Sequence, residues 1–321
     1  MLYRAYYSQL VCNMTNHAEI ARKALEVDST EYISLIEETT NLLASEKGLT
    51  GNLSIEGRLI NVKASVETIV VGDLHGDLES LVYILNTSGY VKKASQDKEI
   101  LLIFLGDYGD RGIYSPEVYY IVLKLKQLFP QKIVLMRGNH EGPDDLLAYP
   151  HDLPENLRTR FGEKGSFVYS KIRQLFPYLY NAVVVDEICV MIHGGVPSSA
   201  SSLEDLIFAH SKHPKERHLE EILWSDPDET IKGTYPSPRG AGRFFGEDVT
   251  QKFLNMLDVK LLIRGHEPAQ NGFKINHNGK ILTLFSRKGP PYFNSVASYL
   301  QFDLSLKPQN VYELVPYIRK F

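Results

Sequence analysis

Five stretches of this sequence end an apolar run with a glycine beside a residue type that can bind a metal ion. They are "TIVVGDLHGD", "ILLIFLGDYGDRG", "VLMRGNHEGP", "ICVMIHGG" and "VKLLIRGHEP". The candidate ligands that they carry are Asp73, His75, Asp107, Asn139, His193 and His266. Carboxylate, amide and imidazole ligands without thiolates suit manganese, iron or zinc better than a structural zinc site built from cysteines. Six ligands exceed the needs of one ion, so we expect two divalent ions roughly 3.5–4 Å apart, bridged by a carboxylate.

The apolar runs before these motifs predict buried strands, and helical stripes separate the first three of them. One stripe runs from Leu78 to Leu85, and a second from Val118 to Leu128 follows a cap and first-turn proline at Ser115 and Pro116. Strand–helix–strand order predicts an α/β fold with right-handed crossovers and a largely parallel sheet. Ligands bind beyond the carboxyl ends of such strands. A single motif of this kind is often an ordinary turn, but five in register favour one shared site.

Phosphorus chemistry needs cations on the phosphoryl oxygens and an acid for the leaving group. Asp107, at the tip of a central strand, is the favoured bridge between two ions. Arg111 follows it by four residues and can hold phosphate oxygens with its planar guanidinium. His140 adjoins Asn139 and is the best general acid, with Asp110 as the carboxylate that orients it. The alternatives are a structural salt bridge for Arg111 and a simple turn for Asp110.

Composition bounds the function classes. The chain has 321 residues, a 43% hydrophobic content and a net charge of −4, so bulk attraction to nucleic acid or to an anionic membrane is not expected. No segment approaches the roughly 20 apolar residues of a spanning helix. The two cysteines, Cys12 and Cys189, cannot form a disulfide framework, and we expect a reducing, cytoplasmic location.

The motifs "GDLHG", "GDYGDRG", "RGNHE", "HGG" and "RGH", in this order, resemble those of the PPP family of metal-dependent serine/threonine protein phosphatases. The resemblance covers roughly residues 30–317, with "LWSDPDE" as a further landmark, and the set of motifs is specific when all occur together. It implies a calcineurin-like metallophosphatase fold, a β-sandwich with flanking helices and a binuclear metal site at the carboxyl ends of the strands.

The resemblance also implies a role for each site residue. The first metal would be bound by Asp73, His75 and Asp107. The second would be bound by Asp107, Asn139, His193 and His266. His140 with Asp110 would protonate the leaving alkoxide, and Arg111 and Arg239 would hold the phosphate. The implied reaction is the hydrolysis of phosphoserine and phosphothreonine in phosphoproteins by a hydroxide bound to two metal ions. Manganese is the expected ion, with iron and zinc as alternatives.

Two regions depart from the family pattern. Near the C-terminus, "LFSRKGPPYFN" replaces the usual loop, and two residues must be inserted to align Tyr292 with the tyrosine of that loop, as a further phosphate contact. The cysteine that many eukaryotic members carry there is absent. The stretch from residue 142 to 162 also differs from eukaryotic members, so the resemblance is to a prokaryotic or archaeal type.

The first 65 residues carry none of this chemistry. "HAEIARKAL" and "STEYISLIEETTNLLASEKG" predict two helices, the second capped by Ser29 or Thr30 and ending near Gly48. We therefore predict an N-terminal helical segment, residues 1–65, packed on a catalytic domain of residues 66–321.

Three other functions remain open at this stage. Phosphodiesterases of the same superfamily often end in Gly-His-x-His, whereas Pro268 stands in that position here. Dinucleoside polyphosphate hydrolases would use the same binuclear site, but they typically have Asp where Glu141 stands. A non-catalytic metal-binding scaffold would usually lack a ligand or the acid, and none is missing. The motifs do not identify the substrate protein or any regulatory protein that binds the chain.

Overall fold

The computed structural model describes residues 17–62 and 66–321. Its helices are α1 (His17–Glu26), α2 (Ser29–Ser45), α3 (Leu78–Ser88), α4 (Tyr90–Ser95), α5 (Ser115–Leu128), α6 (Leu153–Phe161), α7 (Gly165–Leu175), α8 (Glu204–Ile207), α9 (Ala209–Lys212), α10 (His218–Trp224) and α11 (Glu247–Leu257). No helix within these ranges is long and apolar enough to cross a membrane. Cys12 lies outside the described residues.

The first strands are β1 (Gly48–Thr50), β2 (Leu53–Glu56), β3 (Leu59–Val62), β4 (Glu67–Val71), β5 (Ile100–Phe104), β6 (Ile133–Leu135), β7 (Ala182–Val185) and β8 (Cys189–Ile192). The others are β9 (Asp226–Pro227), β10 (Thr234–Pro236), β11 (Arg243–Phe245), β12 (Leu261–Arg264), β13 (Phe273–Asn276), β14 (Ile281–Leu284), β15 (Ser298–Asp303) and β16 (Ile318–Lys320).

Two large sheets form a β-sandwich. One has the strand order β1-β2-β3-β7-β8-β12-β14-β13, and the other has the order β16-β15-β4-β5-β6; a small third sheet joins β10, β11 and β9. The pairs β4–β5 and β5–β6 are parallel, as are β8–β12 and β12–β14. The predicted α/β sandwich with flanking helices is therefore confirmed. The prediction of a largely parallel sheet is wrong, because both sheets are mixed and contain antiparallel pairs such as β7–β8 and β4–β15. The five apolar runs also divide between two sheets instead of sharing one.

Successive side chains along the strands of the larger sheet alternate between its two faces, and each face packs against a different hydrophobic core. In β8, Cys189 and Met191 face the core shared with the other sheet, whereas Val190 and Ile192 face the core beneath α8–α11. Side chains that alternate along a strand point to opposite faces, so a continuous apolar run is what a strand covered on both faces requires. Burial raises the pKa of the Cys189 thiol to about 12, which leaves it a packing residue.

The N-terminal helices pack where the sequence predicts helices, but α2 is capped differently. The Asp28 carboxylate accepts hydrogen bonds from the backbone N–H of Thr30 at 2.7 Å and of Glu31 at 3.0 Å, so Asp28 is the cap instead of Ser29 or Thr30. Helix α5 likewise begins with Ser115 as a helical residue after Tyr114, and the Ser115 hydroxyl donates to the carbonyl of Gly112 at 2.7 Å.

Residues 48–62 differ from the prediction of a helical segment. They form β1, β2 and β3, and β3 pairs in parallel with β7 of the larger sheet. The β-branched and apolar pattern of "LSIEGRLINV" is short and interrupted by Gly57, so its strands depend on pairing with distant residues. The sheet thus begins before residue 66, and the boundary there does not separate helices from sheet.

Strand β3 contributes fully buried side chains, so its truncation is expected to destabilise the whole fold. We predict that Ile60→Ala lowers the free energy of unfolding by about 2–5 kcal/mol, because Ile60 has no exposed surface and its loss leaves a cavity. Chemical denaturation of the purified variant measures this change. Leu49→Ala, at a neighbouring strand position that is 65% exposed, should change the same quantity by less than about 0.5 kcal/mol. An equally small change in the free energy of unfolding for both variants would show that residues 48–62 are not part of the core.

Candidate active site

The predicted ligands lie at the carboxyl ends of strands from both sheets. Asp73 and His75 follow β4, and Asp107 follows β5 in the smaller sheet. His193 and His266 follow β8 and β12 in the larger sheet. The two strand edges meet directly, because Asp73 forms a bridge with Phe285 just after β14. The edge-to-edge contact places ligands from the two sheets in one crevice.

The backbone turns sharply at several of these positions. His75, Asp107 and His266 have φ values of 43°, 57° and 73°, and Asp110 and Arg111 both have φ values of 65°. Left-handed backbone is uncommon for residues other than glycine, and such residues often cluster at functional sites. The left-handed backbone directs neighbouring side chains into the crevice, whereas an extended strand would point them to opposite faces.

The other five predicted ligands cluster around Asp107. Its carboxylate lies 3.5 Å from Nε2 of His75 and 3.4 Å from Nε2 of His193. Nε2 of His75 also lies 3.7 Å from Asp73. On the other side, the Asn139 amide oxygen lies 3.0 Å from Nε2 of His193 and 3.0 Å from Nδ1 of the remaining ligand, His266. Asp107 therefore stands between two groups of ligands, as a bridging residue would.

The arrangement of polar atoms fits divalent cations. Nδ1 of His75 bonds the carbonyl of Gly109 at 3.0 Å, and Nδ1 of His193 bonds the carbonyl of Leu105 at 2.9 Å. When those nitrogens carry the protons, both rings present the Nε2 lone pair to the crevice. The buried Oδ2 of Asp73 has no hydrogen-bond partner among the described residues. The Asn139 amide oxygen faces two ring nitrogens, and a cation between them could bind all three atoms. In the opposite orientation of the amide, its NH₂ group would donate hydrogen bonds to the same nitrogens.

Burial and neighbouring charges shift the pKa values of several candidate ligands strongly. Burial, together with the charge of Asp107, raises the pKa of Asp73 to about 7. Burial lowers the pKa of His75 to about 3. Burial also disfavours charge on His193, but the neighbouring Asp107 carboxylate outweighs it and raises the pKa of that imidazole to about 9. The charge of Asp107 disfavours the ionisation of the buried Asp73, so a bound cation would be strongly favourable.

A buried glutamate holds the strand tips together. The Glu141 carboxylate accepts hydrogen bonds from the backbone N–H of Asp107 at 2.8 Å and of Gly138 at 3.1 Å, and from the Tyr119 hydroxyl at 2.6 Å. Burial and the charge of Asp107 raise the pKa of Glu141. Any side chain at Gly138 would overlap the Asp107 carboxylate, so only glycine permits this approach.

The predicted general acid and its carboxylate are in contact. Nδ1 of His140 lies 2.5 Å from Oδ2 of Asp110. Burial lowers the pKa of His140, but the carboxylates of Asp107 and Asp110 outweigh burial and raise it. The backbone N–H of His140 also donates to Asp107 at 3.1 Å. Its Nε2 is therefore the atom that can exchange a proton with a substrate.

Residues predicted to hold phosphate line one cavity of about 1050 Å³ together with the general acid and several metal-ligand candidates. The Arg111 guanidinium donates to the carbonyls of Pro150 at 3.0 Å and Tyr149 at 3.2 Å. Arg239, whose side chain is 38% exposed, pairs with Asp226 at 3.0 Å. The third predicted contact, Tyr292, also lines this cavity.

The Tyr292 ring stacks on the His75 ring, with 5.6 Å between their centres. The structure thus brings all three predicted contacts, Arg111, Arg239 and Tyr292, to the cavity.

Two functional neighbours were not predicted from the sequence. His151 bonds the same Asp110 oxygen as His140, at 2.8 Å. Arg287 donates to the His75 carbonyl at 3.1 Å, and its guanidinium lies 5.3 Å over the Tyr292 ring. Arg287 stands in the divergent loop that the sequence marks, so its position could have been suspected. Nothing in the sequence around His151 indicates a contact 41 residues away.

Comparison with known proteins identifies the family. Residues 67–270, more than half of the chain, match the family model described as calcineurin-like phosphoesterase. The chain is 34% identical over 266 residues to a probable serine/threonine-protein phosphatase of Encephalitozoon cuniculi, covering 81% of this chain and 56% of the relative. It is 32% identical over 244 residues to the serine/threonine-protein phosphatase ppe1 of Schizosaccharomyces pombe, covering 75% and 76%.

The chain thus spans little more than half the length of the first of these relatives and about three quarters of the second. Both organisms are eukaryotes, so these relatives do not support the prokaryotic or archaeal type, which stays a prediction.

Solved structures show the same fold. A serine/threonine phosphatase from Saccharomyces cerevisiae, with similarity to human phosphatase PP5, aligns with a TM-score of 0.68 and 23% identity, over 86% of this chain and 82% of that one. A cold-active protein-tyrosine phosphatase of a psychrophilic Shewanella species aligns with a TM-score of 0.56 and 14% identity, over 82% and 79%.

The matched family model covers the strand tips that carry Asp73 through His266, and the identity to the fission-yeast relative extends over three quarters of the chain. The chain therefore belongs to the calcineurin-like phosphoesterases and, within them, to the serine/threonine-protein phosphatases, a family of metal-dependent phosphatases.

Proposed function

We propose that this protein hydrolyses phosphoserine and phosphothreonine monoesters in phosphoproteins. The observation that carries the proposal is the clustering of six ligand-type side chains around Asp107, beside the His140–Asp110 pair. Four of the six line the same cavity as His140: His75, Asp107, Asn139 and His266. Relatives named as serine/threonine-protein phosphatases support the same reaction.

The metal-ligand roles stay part of this proposal. One ion would be held by Asp73, His75 and Asp107. A second would be held by Asp107, Asn139, His193 and His266. Two divalent ions bound in this way supply a nucleophile from water and neutralise charge on the phosphoryl oxygens. The donor set of carboxylates, an amide and imidazoles suits manganese, which we propose ahead of iron and zinc.

The side chains on the cavity wall would orient the phosphate. Arg111 and Arg239 present guanidinium groups whose planar donor pairs match phosphate oxygens. The carbonyls of Tyr149 and Pro150 hold the guanidinium of Arg111, and Asp226 holds that of Arg239, so both are restrained before substrate binds. Less orientational freedom is then lost on binding.

Proton delivery to the leaving oxygen would fall to His140. Its Nδ1 is bound to Asp110, so the proton available to the substrate is that on Nε2. The carboxylates of Asp107 and Asp110 outweigh burial and raise the pKa of the His140 imidazole, which favours the protonated form that a general acid needs.

Other functions of the same site are less well supported. The comparisons do not favour a dinucleoside polyphosphate hydrolase, since the named relatives are protein phosphatases. A scaffold without turnover would not need the complete general-acid pair. We also propose a cytoplasmic location and binding to regulatory proteins. We further propose that the catalytic unit begins before residue 66 and includes strands β1–β3.

The substrate class can be tested directly. After removal of metals with a chelator and addition of manganese, we expect phosphate release from a phosphoserine or phosphothreonine peptide to exceed that from diadenosine tetraphosphate and from a phosphodiester by at least about tenfold. A phosphate-release assay at matched concentrations compares the three. Preference for the dinucleotide would contradict the proposed substrate class while retaining the site.

The bridging role of Asp107 predicts a difference between two matched carboxylate variants. Asp107→Asn should lower the manganese bound per chain, because this carboxylate lies within 3.5 Å of imidazoles on both sides. Asp110→Asn should retain its metal, since Asp110 contacts His140, His151 and the Leu153 backbone instead. Elemental analysis after gel filtration measures both. Greater metal loss in Asp110→Asn would contradict the assignment.

Removal of the general acid should separate turnover from metal binding. We predict that His140→Asn lowers kcat on a phosphothreonine peptide by about 100-fold or more, since the leaving alkoxide then lacks a proton donor. Its manganese content should equal that of the wild type. Loss of manganese in this variant would instead place His140 among the metal ligands.

A further inference from the structure

A second histidine binds the carboxylate that orients the general acid. Nδ1 of His151 lies 2.8 Å from Oδ2 of Asp110, the same oxygen that Nδ1 of His140 approaches to 2.5 Å. Both imidazoles are largely buried, with side chains 11% and 6% exposed. The other Asp110 oxygen accepts from the backbone N–H of Leu153 at 2.7 Å. Asp110 is thus held by three donors, two of which come from one short segment.

The protons in this network are determined by what each atom can do. An ionised carboxylate only accepts hydrogen bonds, so Nδ1 of His151 must donate to Asp110. Nε2 of His151 lies 2.8 Å from the Tyr169 hydroxyl. In the neutral ring Nε2 then accepts from that hydroxyl. Asp110 thus requires the His151 tautomer with the proton on Nδ1, and the Tyr169 hydroxyl, on α7, stabilises that tautomer by donating to Nε2.

Asp110 depends on such support. It lies in left-handed backbone with a φ of 65°, and the following residue, Arg111, has the same φ. Burial alone would favour the protonated acid, but hydrogen bonds from His140 and His151 outweigh it and hold the pKa of Asp110 well below its usual range. Hydrogen bonds to a charged acceptor are among the stronger ones in proteins and restrict its rotation.

We propose that His151 is a positioning residue that, together with Tyr169, holds the Asp110 carboxylate so that His140 delivers its proton to the leaving alkoxide. The inference rests on the proposed function. In the step concerned, the ester P–O bond breaks and its electron pair goes to the leaving oxygen, which takes the Nε2 proton of His140. The oxygen of the attacking water forms the new P–O bond. The proton that this water gives up replaces the one lost by His140, so the products are the free alcohol and inorganic phosphate.

The test compares two substrates that differ in their need for an acid. A nitrophenolate leaves readily without a proton, whereas the alkoxide of phosphothreonine does not. For His151→Phe, which keeps a ring and removes both hydrogen bonds, we expect kcat on a phosphothreonine peptide to fall about tenfold. On p-nitrophenyl phosphate it should fall less than about twofold. His151→Asn, whose amide can donate near the position of Nδ1, should recover most of the loss.

The chain offers a control in a second histidine–carboxylate pair at the same cavity. His213 is 10% exposed and bonds Asp145, another carboxylate on the wall of the same cavity, at 2.8 Å. Asp145 has no hydrogen bond to His140 among the contacts of the described residues. His213→Phe should therefore leave the ratio of the two kcat values unchanged. Tyr169→Phe removes only the hydroxyl, and it should give a smaller loss, about threefold, with the same substrate selectivity.

Each outcome decides the proposal. Every variant is loaded with manganese, and its manganese content and thermal unfolding are compared with those of the wild-type enzyme. An equal fall on both substrates would show a merely structural role and overturn the inference, as would unchanged kcat values in His151→Phe. Wild-type enzyme that releases phosphate from neither substrate would overturn the proposed function itself. Active wild type with no selective loss overturns only the role of His151. If His151→Phe does not fold, the ratio of the two kcat values in Tyr169→Phe supports or overturns the proposal in its place.

Discussion

The structure depends on placing two carboxylates, Asp73 and Asp107, in a buried crevice between two sheets. Both are almost completely shielded from solvent. Ionised groups without water are stable only when donors or cations surround them. Most of the polar interactions of the crevice meet this need. Backbone N–H groups of His140 and His266 reach the two carboxylates at 3.1 and 2.8 Å, and imidazoles stand on either side. The same crowding makes the crevice a site for divalent cations.

The fold supplies what this arrangement demands of the backbone. Left-handed residues at strand ends are each unfavourable by about 1–3 kcal/mol and persist only where their surroundings hold them. The Asp107 carbonyl accepts from the N–H groups of Leu74 and His75 at 3.1 and 2.9 Å, which ties two of these turns together. Glu141 draws in the backbone of Asp107 and Gly138 from the other side. The apolar strands behind them, β4, β5 and β6 of the smaller sheet, cannot yield easily, because their side chains are buried on both faces.

Both segments that depart from the expected family pattern contribute to the wall of the cavity. The stretch from residue 142 to 162 supplies the carbonyls that hold Arg111 and also His151, which contacts Asp110. The C-terminal loop supplies Arg287, whose guanidinium supports the stacking of Tyr292 on His75. The metal-ligand candidates and the general acid lie on short strand-end turns, whereas these supports come from longer connections. Variation there can alter how a substrate is held while the ligand arrangement stays the same.

The amino-acid sequence was enough to predict which side chains the structure brings together at the site. Each ligand candidate sits within a few residues of a buried strand, and the recurrence of five such motifs is enough to predict one shared site. His140 and Asp110 could be paired on the same grounds. Tertiary contacts were needed to show that the strands divide between two sheets, that residues 48–62 extend the larger one, and that Asp28 caps α2. They alone placed His151 beside Asp110. These features depend on contacts between residues far apart in the chain, whose free energies come from packing and shared hydrogen bonds that no local pattern records.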